Sequence, residues 1–309
     1  MSAASLKPLH LAAAFDQHYR APFYAWFFSV LDHHKKTSVH FHLIVTGIPE
    51  TEKQTIVETA GKHQVSFYVI DEAFTAQFVL ASKWTPAVYY RLFFPFLVPP
   101  SLDRLLYLDV DTIVVNDLTD FYSLDLEGKP LAAVYDNYVV TQPLLGINEP
   151  GNYFNSGVML MDLNQWRQSK ISEQVIDYLL KYPETIRYVD QCGLNAILVD
   201  TWKKLDARYN YLYTYVPQEQ SLKELKGLLH DKYVVHFTLQ RPWEMLCRNR
   251  LRFLYFQYRK KWSDRTSKYT DFGWSKIPAW LKIRAVEFYF DAPLVRKMWR
   301  GLKAKSVRT

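Results

Sequence analysis

Asp109 and Asp111 stand two residues apart at the end of a short apolar run, Leu105-Leu106-Tyr107-Leu108, and a second β-branched run, Thr112-Ile113-Val114-Val115, follows at once. The first run is too short for a helix and reads as a buried strand. In extended backbone residues i and i+2 point to the same side, so both carboxylates can be aimed at one point in space. That arrangement makes a cation site or an acid/base pair. The plainer alternative is a strand end whose acids cap the turn continued by Asn116 and Asp117. The position of the pair favours chemistry, because open α/β sheets bind ligands outside the carboxyl ends of their strands.

Other residues could join it. Val234-Val235-His236-Phe237-Thr238 is a short strand carrying a histidine. A lone histidine there is commonly a satisfied core residue, yet two carboxylates and one imidazole can hold a hard divalent cation. Asp190 and Gln191 fall at the start of a helix, where Asp190 also fits an N-cap. Asn155 belongs to an Asn-Ser-Gly step inside the strand-like run 153–162, and a glycine in such a run marks a bulge or a close approach. Arg91 is a single arginine among bulky apolar residues in a helix-like segment, 87–92, stopped by Pro95; it either snorkels or meets an anion.

The elements that must position these residues alternate. Leu9–Phe15 reads as a strand, Pro22–Leu31 as a helix, Val39–Val45 as a strand, Thr51–Gly61 as a helix and Val65–Ile70 as a strand. Further strands are expected at Leu105–Leu108 and Leu131–Tyr135, the latter ending at Asp136, with a helix at Ile171–Leu180. This order predicts an α/β fold with a largely parallel sheet. His33, His34, His40 and His42 invite a metal reading, but a mixed surface of neutral histidines needs no ligand, and that plainer reading is preferred.

Composition narrows the classes further. The 309 residues are 49% hydrophobic, enough for a sizeable core. Ten glycines and no glycine-rich phosphate loop exclude the common nucleotide-binding fingerprints. Two cysteines, Cys192 and Cys247, cannot build a disulfide framework or a cysteine-rich zinc site. The start carries no secretory signal pattern, and no run approaches the ~18 apolar residues of a spanning helix. A cytoplasmic protein is expected.

Together the blocks resemble the family 8 retaining glycosyltransferases, a group that includes bacterial lipopolysaccharide galactosyl- and glucosyltransferases and glycogenin. The resemblance runs from about Leu9 to Trp243. It is carried by Asp16-x-x-Tyr19 after the first strand, Arg91 before the central one, Leu106-Tyr107-Leu108-Asp109-x-Asp111, and Tyr153-Phe154-Asn155-Ser156-Gly157-Val158. Asp190-Gln191 ahead of Leu194-Asn195, and His236 followed by Arg241-Pro242-Trp243, complete it. It implies a GT-A fold, a nucleotide-sugar-binding α/β sandwich with a central mixed, mostly parallel sheet over residues 1–245. It further implies manganese, or magnesium in its place, between the enzyme and the diphosphate of a UDP-sugar.

Carried over residue by residue, Asp109, Asp111 and His236 would be the metal ligands. Asp16 and Tyr19 would hold and stack the uracil, and Arg91 would contact the donor. Asn155, Asp190 and Gln191 would line the sugar pocket, with Asp136 where acceptor and sugar meet. The expected reaction moves galactose or glucose to a saccharide acceptor such as a lipopolysaccharide or another cell-surface glycan. Family members usually carry a glycine between the histidine and Lys-Pro-Trp; here it is absent and Arg241 replaces lysine. Arginine's fork can still grip phosphate, so the expectation is retained donor binding with an altered loop.

Two rival readings use the same residues. Leu-Tyr-Leu-Asp-Val-Asp-Thr also looks like the first motif of haloacid-dehalogenase-type phosphatases, but no convincing lysine and acidic magnesium motifs follow. A glycan-binding protein that keeps the fold without turnover is the second. Beyond Trp243 the sequence becomes basic and aromatic, and residues 246–309 read as a separate segment. Within it Leu294, Val295, Met298, Trp299 and Leu302 recur at helical spacing against Arg296, Lys297, Arg300, Lys303 and Lys305. That pattern predicts a helix lying on an anionic membrane surface, where a glycolipid acceptor resides. The same mix suits RNA, but no nucleic-acid partner is expected. The net charge of +7 has much of its excess here.

Overall fold

A computed structural model of the chain describes residues 8–78, 80, 84–264 and 267–292. Its centre is a seven-stranded mixed sheet built from β1 (Leu9–Asp16), β2 (Val39–Thr46), β3 (Gln64–Tyr68), β4 (Arg104–Leu108), β6 (Leu131–Val134), β7 (Val158–Asp162) and β8 (Lys203–Leu205), in the order β3-β2-β1-β4-β7-β6-β8. The β3-β2-β1-β4 half is parallel, and β7 runs antiparallel to both of its neighbours. A second, three-stranded sheet joins β5 (Thr112–Val114), β9 (Tyr211–Leu212) and β10 (Val234–His236) in the order β5-β10-β9. The expected mixed, mostly parallel α/β sheet is present.

Alternation along β1 and β2 sorts the core into two faces. Leu11, Ala13, Phe15, Phe41 and Leu43 share one cluster with helix α1 (Arg20–His33) and with Ile56 and Ala60 of helix α2 (Glu50–Ala60), with Phe15 stacked 4.0 Å from Phe23. α1 is apolar nearly all round because it is covered on both sides: the sheet lies under it and helix α5 (Phe253–Arg259) lies over it. Tyr24 stacks 4.6 Å from Trp262 at that outer contact. The opposite face of the sheet meets the segment Pro86–Phe93, which is a 3-10 helix, and helices α3 (Ile171–Lys181) and α4 (Val189–Ile197).

The chain on either side of residue 245 shares one cluster: Leu251, Leu254, Tyr255 and Tyr258 pack with Ala25, Val235, Phe237 and Trp243. Helix α6 (Ile277–Asp291) is attached by ion pairs, Arg252 gripping Glu287 through both its terminal nitrogens at 2.6 Å and Arg250 meeting Asp291 at 2.5 Å. None of its side chains is buried. The expected amphipathic helix around residues 294–302 lies outside the described residues.

The histidines differ from expectation. His34 and His42 are buried, not on the surface. The ring of His34 accepts the amide N–H of Leu118 at Nε2 and donates to the carbonyl of Val30 through Nδ1. Burial, with the neighbouring charges of His40 and His10, pushes His42 down to about 3, and burial with His40 pushes His10 down to about 4.

Candidate active site

β4 ends at Leu108, and the chain turns at once into β5, its turn closed by Thr112 donating from Oγ1 and N–H to the Asp109 carbonyl. β10 lies antiparallel to β5 with His236 opposite Thr112, which brings an imidazole 125 residues distant beside Asp111. His236 Nε2 lies 3.1 Å from Asp111 Oδ1 and 3.9 Å from Asp109 Oδ2. One ligand atom from each of the three residues falls within 4.8 Å of the others.

Two observations test whether this set fits a divalent cation. The donors are two carboxylates and one imidazole, a combination suited to a hard cation. Gly157 leaves the necessary space: a Cβ there would lie 2.2 Å from His236 Cε1 and 2.5 Å from Asp109 Oδ2. His236 Nδ1 meets Asn210 Oδ1 at 3.1 Å, and Asn210 is wholly buried. Donation to that amide oxygen leaves Nε2 facing the acids. Burial favours neutral Asp111, but His236, Arg241 and Arg91 overcome it and hold the carboxyl below the usual range. Burial likewise favours neutral His236, and Asp111 with Asp109 raises it above an ordinary imidazole. The residues fit such an ion.

Arg91 is buried behind this cluster. Its Nη2 donates to Asp109 Oδ1 at 2.8 Å, Nε approaches Asp190 Oδ2 at 3.1 Å, and Nη1 donates to the Ser156 carbonyl at 2.6 Å. The guanidinium therefore ties two acids and a backbone carbonyl together. Asp190 does not cap α4: Tyr188 is the N-cap residue, and the Asp190 carboxylate turns inward to Arg91 and the Ser156 hydroxyl, 3.0 Å away. The cap reading fails because an arginine and a hydroxyl compete for the carboxylate from inside the fold. Burial pushes Asp190 up to about 6 in spite of Arg91. Val189, just before it, has φ of 39°, a left-handed backbone that is costly for a β-branched residue.

Gln191 sits in a buried amide network. Its Oε1 accepts from Asn155 Nδ2 at 3.2 Å and from the Ser156 amide at 3.1 Å, while its Nε2 donates to Asp136 Oδ2 at 3.2 Å. Asn155 also donates to Asp136 at 3.1 Å and accepts from the Gly157 amide. These residues and the triad line one cleft of about 440 Å³.

At its rim Tyr19 packs edge-on to Trp243, with the Arg241 guanidinium 5.8 Å from the tyrosine ring centre. Burial pushes the Tyr19 hydroxyl up to about 12. Asp16 ends β1 nearby, accepting the His18 amide at 2.8 Å, and is not among the lining residues. Leu239, within the segment lacking the usual glycine, has φ of 63°, so leucine occupies a conformation that glycine adopts freely.

Asn210, Ser156 and Tyr107 escaped the sequence reading. Tyr107 donates its hydroxyl to Asp109 at 2.8 Å and could have been found by strand parity, since it precedes Asp109 by two. Ser156 sat inside a quoted block without a role. Asn210 gives no local signal. Among the described residues no lysine lines the cleft, a further mark against the phosphatase reading.

The fold and the site define a GT-A glycosyltransferase. The sequence matches the family model for glycosyl transferase family 8 over residues 10–247, and the chain belongs to that family. It is 30% identical over 271 residues to general stress protein A of Bacillus subtilis, covering 82% of this chain and 95% of that protein. It is 28% identical over 231 residues to the lipopolysaccharide 1,2-glucosyltransferase of Escherichia coli K12, covering 70% of this chain and 67% of that one. Among solved structures, the galactosyltransferase LgtC in complex with donor and acceptor sugar analogues superposes with a TM-score of 0.70, at 22% identity, over 88% of this chain and all of that one. That likeness concerns the fold. Glycosyl transfer is the activity of this family, and it excludes the phosphatase reading.

Proposed function

We propose that the protein transfers a hexose, galactose or glucose, from a UDP-sugar to a saccharide acceptor of a cell-surface glycan, with retention at the anomeric carbon. The observation that carries this reading is the convergence of Asp109, Asp111 and His236 beside Asp136, Asp190 and Gln191 in one cleft. Those three would hold manganese, with magnesium as a substitute. A cation there would offset the charge that grows on the departing diphosphate.

The chain's own residues do the remainder. Tyr19 and Arg241 flank the rim where a uracil ring and a phosphate are accommodated, and Arg91 holds Asp109 and Asp190 in place. Asp190 is taken up by Arg91 and Ser156, which makes it a poor nucleophile. Attack by the acceptor hydroxyl on the face the diphosphate leaves, its proton passing to the departing diphosphate oxygen as the anomeric carbon–oxygen bond breaks, with the Gln191 amide flanking the sugar, accounts for retention. The relatives' names support a lipopolysaccharide-type acceptor and a hexose donor.

Membrane association forms part of the proposal. No helix among the described residues is long and apolar enough to cross a membrane. α6 leaves Leu281, Val286 and Phe288 more than half exposed, and Trp274 just before it is 78% exposed. Such residues beside Lys276, Lys282 and Arg284 suit docking at the inner face of the cytoplasmic membrane, with residues 246–309 as the contributing segment. Deleting residues 293–309 together with Trp274→Ala should abolish sedimentation with vesicles containing phosphatidylglycerol; unchanged sedimentation discards this part.

The decisive experiment is a panel of UDP-sugars with manganese. UDP release from UDP-galactose or UDP-glucose is expected, and Asp109→Ala should abolish it. Turnover of no UDP-hexose, or full activity in Asp109→Ala, would overturn the proposal. A non-catalytic glycan-binding protein would give no UDP release with any donor.

A further inference from the structure

A second triad lies at the other end of the same sheet. His10 on β1 stands opposite His40 on β2 in the parallel register, and His42 follows His40 by two on the same face. Strand parity and a spacing of roughly 4.8 Å between neighbouring strands therefore bring three imidazoles together. The ring centres of His40 and His42 are 4.2 Å apart, those of His10 and His42 5.2 Å, and those of His10 and His40 5.3 Å. One nitrogen of each ring lies within 4.8 Å of the others.

We propose that His10, His40 and His42 form a binding site for a zinc-class divalent cation, separate from the catalytic cleft. His10 Nδ1 and His42 Nε2 are 2.9 Å apart, so their lone pairs cannot both face the gap unless a proton or a cation lies between them. Two nitrogens bound tetrahedrally at 2.0–2.1 Å to zinc stand about 3.3 Å apart, which these rings reach by parting roughly 0.4 Å.

Strand β3 supplies the outer support. The Tyr68 hydroxyl lies 2.7 Å from His42 Nδ1, and the Ser66 hydroxyl 2.8 Å from His40 Nε2. A hydrogen bond to the second ring nitrogen is the usual way a ligating histidine is oriented. With imidazole as the only ligand type, the site prefers zinc, nickel or copper over manganese or magnesium. His10 and His40 are partly open to solvent, which gives an ion access. From His10 to Asp16 the strand spans about 20 Å, so the site stands clear of the cleft and acts as a clamp on the first strands of the sheet.

Zinc binding to the full-length, chelator-treated protein tests this. Wild type and Asp109→Asn should each bind one zinc ion and show a zinc-dependent rise in melting temperature. His42→Gln should lose that rise and bind at least tenfold more weakly. Equal zinc binding in His42→Gln and wild type, or loss of the ion in Asp109→Asn alone, would overturn the site. Should His42→Gln fail to fold, His40→Gln and Tyr68→Phe decide. The first should lose zinc, and the second, which keeps all three imidazoles, should weaken it about tenfold; wild-type affinity in both refutes the proposal.

Discussion

The two ends of the central sheet each gather three metal-capable side chains, one set from a turn between strands and the other from the strands themselves, and with different chemistry. At the carboxyl ends of the strands, Asp109 and Asp111 meet His236 from a neighbouring strand of the smaller sheet. At the amino ends, His40 and His42 meet His10 from the adjacent strand. In each case two residues at i and i+2 are completed by one from a strand that register, not sequence proximity, sets alongside. The carboxylate triad opens on a cleft and is backed by a buried arginine; in the histidine triad His40 and His42 are backed by the Ser66 and Tyr68 hydroxyls. Ligand hardness and the neighbouring charge thus separate a site for a diphosphate-bound hard cation from a clamp for a softer one.

The strongest way to break this contrast is Gly157→Ala. The added methyl would sit inside van der Waals contact of both His236 and Asp109, so the three donors could no longer converge. A displacement of about 1 Å at a catalytic centre can cost on the order of 100-fold in rate. At least that loss of transferase activity is expected, with zinc binding at the histidine end unchanged. Activity within a few fold of wild type would mean that the cleft does not depend on this convergence.

Asn210→Ala probes the outer support at the carboxylate end, as Tyr68→Phe does at the other. Without the amide oxygen, His236 Nδ1 loses its buried partner and the ring its orientation. Loss of such support typically weakens metal affinity by about 10–100-fold. The manganese concentration for half-maximal activity should rise accordingly, while the rate at saturating manganese falls much less. An unaltered manganese requirement would show that Asn210 does not orient His236 for a cation.

How much of this was readable beforehand follows from the same geometry. Asp109 and Asp111 stand out in the sequence because they follow an apolar run at a spacing of two; the extended backbone expected for them is replaced by the tight turn between β4 and β5, which still brings both carboxylates to one side. His236 drew notice as a lone histidine on an apolar strand, and resemblance strengthened it, since nothing local says that β10 pairs with β5. His40 and His42 look like surface residues in the sequence because neither the register with His10 nor the cover from β3 is written in their own segment. Asp190 was open to two readings until Arg91, 99 residues earlier, was seen beside it. The parallel α/β order was legible from alternating patterns, whereas the antiparallel course of β7 was not, because the side-chain period of a strand carries no direction.

A histidine of a third kind sharpens the comparison at the amino end. His34 has both ring nitrogens engaged by backbone, one accepting from Leu118 and one donating to Val30, so no lone pair is left for a metal. Its signature should be a proton effect instead. Burial, with Lys62 and against the pull of Asp117 and the Val30 carbonyl, holds it below the ordinary imidazole value of 6.5. Above that pH neither the folded nor the unfolded chain protonates it. As pH falls below it, the unfolded chain takes up a proton that the folded chain resists, and stability declines. Urea unfolding between pH 7 and 5 should therefore show a shallower loss of stability in His34→Gln than in wild type, and zinc should leave that difference unchanged. Equal slopes in the two proteins would show that His34 does not contribute to the acid sensitivity of this end of the sheet.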